Sequence, residues 1–381
     1  LGPVTAEILA DELDGGDGTD QLVESGDFQF FELTSVQLTG PGTDSINDFE
    51  EAILTAGADD NYVDASSFGG TVTLLGGDGA DTLIGGGGDD DLDGEAGNDH
   101  LQGGNGSDTL EGGTGTDFVT AFGNTNLTIT DSQIVGAGTD SINSIEAAAL
   151  QGGDGDNVLD GSAFSGSVFL LGGGGDDTLT GNAFNGELDG EAGDDVLNVT
   201  AGDDVLTGGT GNDRLIISGD GNYTLTDVAL TGIGTNSVSG LEHAEITGGA
   251  SNNTFDAGGF SGNVTLIGGD GNDSLVGGSA DDKFSGGLGD DTISGGAGID
   301  RLIESGDVDF IVTDVSVSGV GADVLSGIDA VVLTTGDGGH VLDASGFSGN
   351  ATLTGGAGND SLVGNGGTDK LDARDGDDTV Q

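Results

Sequence analysis

The feature that most restricts the fold of this chain is a repeat of nine residues. Residues 76–120 read GGDGADTLI, GGGGDDDLD, GEAGNDHLQ, GGNGSDTLE and GGTGTDFVT. Further copies occupy residues 15–23, 172–216, 268–303 and 355–381. The sixth position is Asp in every copy except 181–189, and the eighth position is apolar in every copy. Such regularity predicts stacked structural units, because each unit can bury its apolar face only against its neighbours.

Each nonapeptide has the composition of a turn followed by a short strand. Glycine suits backbone with positive φ or close approach to other backbone. The last three residues alternate in direction, so the apolar eighth residue points inward and its neighbours point outward. Two nonapeptides would close a coil of about 18 residues, with successive strands about 4.8 Å apart. The sequence therefore predicts an all-β fold, a parallel β-solenoid. The segment 145–150 is the nearest helix candidate and could equally begin a strand.

A longer period of about 96 residues groups the nonapeptides into modules. The equivalent residues Asp20, Asp117, Asp213 and Asp300 are 97, 96 and 87 residues apart. We predict one continuous solenoid with these parts: 1–23, the end of a preceding module, and then modules 24–120, 121–216, 217–303 and 304–381.

The segments between the runs, which we call spacers, continue the same apolar pattern. They cover residues 24–75, 121–171, 217–267 and 304–354. In the first spacer we expect short strands near Phe30, Gln37, Ile53, Val63 and Leu74. The last module spacing is one nonapeptide short, so we predict that the fourth module is rotated relative to the first three. Spacings of 97 and 96 residues should repeat the same relative placement, and the spacing of 87 residues should move the following spacer to the opposite face.

The charge of the chain points to bound cations. There are 69 acidic residues against five Lys and Arg, which gives a net charge of −64. That balance is typical of a disordered acidic chain or of a folded protein whose carboxylates bind cations. The regular apolar spacing favours the second class, with disorder expected when the cation is removed. Backbone carbonyls and carboxylates suit a hard cation, and flexible oxygen ligands favour Ca²⁺ over Mg²⁺.

These repeats resemble the RTX (repeats-in-toxin, haemolysin-type) calcium-binding family, whose pattern is G-G-x-G-x-D-x-U-x. The resemblance implies a right-handed parallel β-roll with several Ca²⁺ ions held between the turns of adjacent coils. It implies that the metal ligands are the aspartates at position six: Asp20, Asp81, Asp90, Asp99, Asp108, Asp117, Asp177, Asp195, Asp204, Asp213, Asp273, Asp282, Asp291, Asp300, Asp360, Asp369 and Asp378. One copy has Gly186 at this position.

Other residues recur once in each module. Phe68, Phe164, Phe260 and Phe347 favour a stacked ladder inside the coil over a ligand platform. Asp64, Asp160, Asp256 and Asp343, together with Glu50, Glu146, Glu242 and Asp329, either bind metal or cap turns. Asn61, Asn157 and Asn253 indicate a turn or ladder, although the fourth module has His340 there. We expect the three histidines, His100, His243 and His340, to be surface residues.

The sequence excludes several classes of function. Phosphate binding by a nucleic-acid protein needs clustered Lys and Arg, and no apolar run reaches the roughly 18 residues of a membrane span. No zinc-protease, nucleophile-elbow or EF-hand motif occurs, so we expect no enzymatic activity.

The leading hypothesis is a structural protein of the bacterial exterior: a filament, a surface layer or an adhesin stalk. The alternative is the calcium-dependent secretion and folding domain of a larger exported enzyme or toxin. Either would be extracellular, exported by type I secretion from a Gram-negative bacterium. Ice or glycan binding is disfavoured, because the outward positions form no sustained row of threonines.

The composition and both ends of the sequence suggest a larger assembly. The chain contains no methionine, so we expect it to be processed or to be part of a longer protein. Neither end has a polar cap, and residues 6–14 resemble a degenerate repeat. We therefore expect self-association, end to end or side by side, into a fibre or lattice.

Overall fold

The computed structural model describes residues 12–26, 29–40, 42–136 and 138–381. These residues form β-strands and turns, without helix. The chain divides into two compact units, Leu1–Asp195 and Val196–Gln381. Most of the degenerate repeat at 6–14 lies outside the described residues.

The strands of the first unit are β1 (Glu12–Asp14), β2 (Gln21–Ser25), β3 (Phe30–Thr34), β4 (Gln37–Thr39), β5 (Thr43–Asn47), β6 (Glu51–Thr55), β7 (Tyr62–Ser67), β8 (Thr71–Asp78), β9 (Thr82–Ile84), β10 (Asp91–Ala96), β11 (His100–Gln102), β12 (Thr109–Glu111), β13 (Phe118–Phe122), β14 (Leu127–Thr130), β15 (Gln133–Val135), β16 (Thr139–Asn143), β17 (Ala147–Gln151), β18 (Val158–Ala163), β19 (Ser167–Gly174), β20 (Thr178–Thr180) and β21 (Glu187–Ala192).

The strands of the second unit are β22 (Val196–Val199), β23 (Val205–Thr207), β24 (Arg214–Ser218), β25 (Tyr223–Thr226), β26 (Ala229–Thr231), β27 (Thr235–Ser239), β28 (His243–Thr247), β29 (Thr254–Gly259), β30 (Asn263–Asp270), β31 (Ser274–Val276), β32 (Lys283–Leu288), β33 (Thr292–Ser294), β34 (Arg301–Gly306), β35 (Phe310–Thr313), β36 (Ser316–Ser318), β37 (Ala322–Ser326), β38 (Ala330–Thr335), β39 (Val341–Gly346), β40 (Asn350–Thr354), β41 (Ser361–Val363), β42 (Lys370–Asp372) and β43 (Thr379–Val380).

The strands pair at the interval that the repeat predicts. In the first unit, Leu74 of β8 is in register with Leu92 of β10, which is in register with Leu110 of β12. In the opposing sheet, Leu83 of β9 is in register with Leu101 of β11. Each pair is parallel, and each step spans two nonapeptides. One coil therefore contains one strand from each of two sheets, which confirms the predicted parallel β-solenoid.

The residue at position eight forms the core, as the alternating pattern predicts. Leu83, Leu92 and Leu101 are 0 % exposed, and the residues on either side of them are half-buried or exposed. A fully buried leucine contributes roughly 2–3 kcal/mol of transfer free energy. The last two copies are exceptions: Leu371 is half-buried and Val380 is 53 % exposed.

Each spacer adds a three-stranded antiparallel meander that the sequence did not predict. In the second spacer, β15 pairs antiparallel with β14 and β16, while β16 continues the sheet from β12 and β14 pairs with β18. The turn between β14 and β15 forms where the Thr130 hydroxyl accepts the N–H of Ser132 at 3.3 Å. The positions of the spacer strands were predicted better than their pairing: the positions named in the first spacer lie in β3, β4, β6, β7 and β8, and segment 145–150 leads into β17.

The predicted change in spacer placement at the 87-residue spacing is observed, but its sense is the opposite of the predicted one: the longer spacing exchanges the sheets and the shorter spacing keeps the sheet. In the first unit, the meander β3–β5 lies in one sheet and the meander β14–β16 in the other. In the second unit, the meanders β25–β27 and β35–β37 lie in the same sheet. A module spacing of 97 residues contains an odd number of half-coils and so exchanges the sheets. Removing one nonapeptide makes the number even, which returns the next spacer to the same sheet.

Candidate metal sites in the stacked turns

The aspartates at position six join the turns of successive coils. Asp99 accepts the backbone N–H of Asp81 through Oδ1 at 2.8 Å, and Asp117 accepts that of Asp99 at the same distance. At the other edge of the coil, Asp108 accepts the N–H of Asp90 at 2.8 Å. Every acceptor lies 18 residues after its donor, so the bonds form a ladder along the stack. The second unit repeats this arrangement in the pairs Asp273–Asp291 and Asp282–Asp300.

The second carboxylate oxygen, Oδ2, faces a different environment. At nine of the predicted ligands it is buried and has no hydrogen-bond partner within the described ranges: Asp20, Asp81, Asp99, Asp108, Asp117, Asp177, Asp273, Asp291 and Asp300. Side chains such as Asp81 and Asp99 are only 1 % and 2 % exposed. A buried carboxylate oxygen without a partner is costly unless a cation or donor satisfies it.

The titration of these groups reflects the same cost. Burial, with the nearby carboxylates of Asp81 and Asp117 adding to its effect, raises the pKa of Asp99 to about 6. Burial likewise raises the pKa of Asp108 to about 6, with Asp140 and Asp90 adding to the effect. Burial therefore opposes ionisation of these carboxylates at neutral pH, and a bound cation would remove that opposition.

Two glycines explain why the turns need residues without side chains. A Cβ on Gly103, at position one, would collide with Oδ2 of Asp108. Gly77, at position two, has φ of 106°, and a Cβ there would meet the carbonyl oxygen of Gly57 in the neighbouring turn. Glycine at these positions thus lets a carboxylate and a backbone carbonyl come close to the facing turn.

These donors fit Ca²⁺. Carboxylate oxygens and backbone carbonyls are the ligands that calcium accepts in flexible coordination. Within the described part of the chain, no three His, Cys, Asp or Glu side chains are grouped to hold a metal. The main-chain carbonyls of the turns would therefore have to supply much of the coordination, beside the aspartates with an unpartnered Oδ2.

Four of the predicted ligands are already satisfied within their own turns. In Asp90, Asp282, Asp360 and Asp369, Oδ2 accepts the N–H of the residue at position two of the same turn, at 2.6–2.9 Å. We call these closed turns, and we call the turns with an unpartnered Oδ2 open turns. Both kinds carry the same aspartate, so the repeat pattern does not distinguish them.

The remaining four predicted ligands also belong to the ladder. Oδ1 of Asp195 and Asp378 accepts the N–H of Asp177 and Asp360. The N–H groups of Asp204 and Asp213 donate to Asn236 and Glu242.

In the copy that lacks aspartate at position six, an asparagine amide donates hydrogen bonds to the neighbouring turn. The Nδ2 of Asn182 donates to the carbonyls of Phe164 and Gly166 at 2.9 and 2.8 Å. Asn365 makes the same kind of bond to Gly349 at 2.7 Å. A hydrogen-bond donor can therefore satisfy carbonyls that face the neighbouring turn.

Sequence reasoning missed one set of ladder residues in the spacers. Asp140 accepts the N–H of Asp108 at 3.0 Å, Asn236 that of Asp204 at 2.7 Å, and Asp323 that of Asp291 at 2.9 Å. Each belongs to a degenerate nonapeptide, G-x-G-x-D/N-x-U-x, that lacks glycine only at position one. The same pattern places Asp44 in the first spacer, where it is buried. A search that tolerated another residue at position one would have found all four.

The acidic residues that recur in each module cap backbone groups. Glu146 Oε2 accepts the N–H of Asp117 at 2.8 Å, and the equivalent bonds of Glu50, Glu242 and Asp329 are 2.9–3.0 Å long. Asp64, Asp160, Asp256 and Asp343 each accept the N–H two residues later, at 2.9–3.0 Å. Of the two roles left open by the sequence, turn capping is the one observed.

The recurring Asn residues begin the ladders, which agrees with the predicted turn or ladder role, and His340 takes the same position in the fourth module. The N–H of Asn61, Asn157, Asn253 and His340 donates to an aspartate at 2.6–2.8 Å. The surface placement predicted for the histidines is wrong for His340, whose ring is only 14 % exposed between Asp307 and Asp309. The hydrogen bond that the His340 ring donates to the carboxylate of Asp307 raises the pKa of His340.

The recurring phenylalanines lie inside the coil, but they do not form a ladder. Phe68, Phe164, Phe260 and Phe347 are 2–3 % exposed. Only one occurs in each module, so several coils separate successive rings.

Comparison with known families identifies the repeat. The RTX calcium-binding nonapeptide repeat matches residues 73–101, 90–119, 151–188, 189–225, 267–302 and 345–380. Together these matches cover just over half of the chain. The chain belongs to the RTX calcium-binding nonapeptide repeat family. Calcium binding is therefore the property that the RTX repeats bring to this chain, and such repeats are typical of exported bacterial proteins.

Comparisons with individual proteins add little to the family membership. None of the curated proteins matches the chain. A solved structure, the extracellular lipase LipA from Serratia marcescens, is 17 % identical, and the match covers 73 % of this chain and 43 % of the lipase with a TM-score of 0.20. The matched part is less than half of the lipase, and nothing about activity follows from so low a TM-score. No helix in the described ranges is long and apolar enough to cross a membrane.

Proposed function

We propose that this RTX chain is a calcium-dependent structural protein of the bacterial exterior, part of an extracellular filament, a surface layer or an adhesin stalk. The observation that carries the proposal is the series of buried aspartate Oδ2 atoms without partners, which recurs in both units. In this proposal calcium completes the turns, and the stacked coils themselves are the functional element. The chain then has no catalytic role. Export would follow the type I route from a Gram-negative bacterium.

The first test concerns calcium and folding. A chain with a charge of −64 and buried carboxylates should be expanded in EGTA and gain β-structure when calcium reaches the millimolar range of extracellular calcium modules. Circular dichroism measures this directly. Equal β-content in EGTA and in calcium would contradict the proposal.

The second test concerns assembly. Electron microscopy of the chain in calcium should reveal fibres or lattices, because a structural role requires association between copies. The alternative role, a secretion and folding domain of a larger exported enzyme or toxin, predicts calcium-folded monomers at every concentration.

A further inference from the structure

The few basic residues of this chain all lie in its second unit. All five Lys and Arg lie between residues 214 and 374, although the chain has 69 acidic residues. Four of them, Arg214, Lys283, Arg301 and Lys370, occupy position seven of a nonapeptide. Their strands, β24, β32, β34 and β42, belong to the same sheet of the second unit. Position seven points outward, so the four side chains lie on one outer face, which we call the basic face.

Strand register brings these residues close together. Lys283 pairs with Arg301 on adjacent strands, about 4.8 Å apart. Arg214 pairs with His243, and both line a groove of 440 Å³ together with Lys283, Glu245, Thr265 and Asp281. The basic face therefore contains one adjacent basic pair, Lys283 and Arg301, and a recess large enough for an acidic side chain, while Lys370 lies three strands from Arg301.

Three of the four basic side chains on this face form no ion pair within the described residues. Arg214 is paired with Glu245 at 3.7 Å. Lys283, Arg301 and Lys370 are exposed and form no ion pair within the described residues. The strands of this sheet in the second unit also carry the acidic residues Glu245, Asp270, Glu304 and Asp372. Glu304 is buried at 3 % exposure, so four exposed basic side chains stand beside three accessible acidic ones.

The first unit offers a matching acidic surface, which we call the acidic face. On one of its sheets, Glu51, Asp91, Asp93 and Glu111 take outward positions on β6, β10 and β12. Asp93 pairs with Glu111 on adjacent strands, at the same spacing as Lys283 and Arg301. No Lys or Arg occurs before residue 214 to neutralise these carboxylates.

We propose that the basic face of the second unit binds the acidic face of the first unit in a second copy of this chain. This inference rests on the assembly in the proposed function and names the surfaces that would make it. Two different surfaces meet, so the contact is heterologous, and repeating it produces an open chain of copies unless a ring closes. Exposed charges are screened by salt, so the contact weakens as ionic strength rises.

Sedimentation velocity of the whole chain in saturating calcium tests the proposal. The double variant Lys283→Glu/Arg301→Glu should need at least about tenfold more protein to assemble, a change equivalent to the loss of a few exposed charge pairs. Arg374→Glu is the matched control, because Arg374 is exposed in the last turn and outside the basic face. The control should assemble like the wild type. Circular dichroism in calcium must first establish that all variants fold.

A charge exchange separates this contact from a general effect of charge. Asp91→Lys/Glu111→Lys alone should likewise need more protein to assemble, and mixing it with Lys283→Glu/Arg301→Glu should restore complexes between the two variants at the wild-type concentration. If the wild type assembles and the basic-face variant assembles equally well, the inference is overturned while the proposed function stands. A wild type that remains monomeric in calcium overturns both. Binding of dextran sulfate by the basic face without self-assembly would replace the second copy with an anionic polysaccharide.

Discussion

Replacing Asp99 by asparagine should change how many calcium ions the chain binds. The oxygen of the amide can still accept the N–H of Asp81, but the negative charge at the buried Oδ2 position is lost. A pKa of about 6, against 3.8 for an ordinary aspartate, means that ionising this buried group at neutral pH costs at most about 3 kcal/mol in the metal-free fold. Asparagine avoids that cost and removes one calcium ligand.

Asp90 provides the matched comparison. It is as buried as Asp99, at 2 % exposure, but its turn is closed by the N–H of Gly86 at 2.6 Å. In Asp90→Asn, one of the two carboxylate oxygens is replaced by an NH₂ group, which is a donor facing a backbone N–H. The hydrogen bond lost there should lower the free energy of unfolding by about 1–3 kcal/mol. This variant should therefore need more calcium to fold while binding the same number of ions.

Native mass spectrometry and calcium titration followed by circular dichroism measure the two effects. Asp99→Asn should lose one ion, and its folding should depend less steeply on calcium concentration. Equal ion counts for Asp99→Asn and the wild type would refute the distinction between open and closed turns. So would the loss of an ion in Asp90→Asn.

Three further predictions concern the turns and the metal. Gly103→Ala should destabilise the calcium-bound fold by about 1–3 kcal/mol, because its Cβ collides with Asp108, whereas Gly366→Ala has open space and should not lower the melting temperature. The raised pKa values of Asp99 and Asp108, both to about 6, favour the protonated folded state. Their contribution to stability is present below the unfolded pKa and is lost as pH rises through 6, so the metal-free chain should gain β-structure by circular dichroism between pH 7 and pH 4. In circular dichroism, Mg²⁺ at the same concentration should not replace Ca²⁺ in folding the chain, because Mg²⁺ demands tighter octahedral geometry. Equal folding with both ions would show that the sites between adjacent turns act only through charge.

The coil could be predicted from the sequence because its rules are local. Leu83 and Leu101 are inward since they follow a turn of fixed length, and the 18-residue register follows from that length. The meanders could not be predicted in the same way, because β15 has only three residues and its antiparallel pairing depends on the strands beside it.

The aspartates of the candidate sites could be predicted from the sequence, but which of them have an unpartnered carboxylate oxygen could not. The repeat identified Asp99 and Asp90 alike, yet only Asp99 has an unpartnered oxygen, because the difference depends on whether position two of the turn donates to its own aspartate. Asp140 was missed since Val135 stands where the pattern requires glycine. The sense of the spacer change was mispredicted because equal spacings show only that the number of half-coils is constant, and not whether it is odd or even.

The odd and even counts of half-coils also limit how such a chain can change during evolution. Lys283 and Arg301 share a face because two nonapeptides separate them. Gain of a single nonapeptide between them would carry every later residue to the other sheet and divide the basic face. Gain of a pair would lengthen the chain and leave each surface facing as before. Descendants of this sequence that keep a working surface should therefore differ in length by whole coils, and a lone added repeat should be tolerated only where no surface on its far side matters.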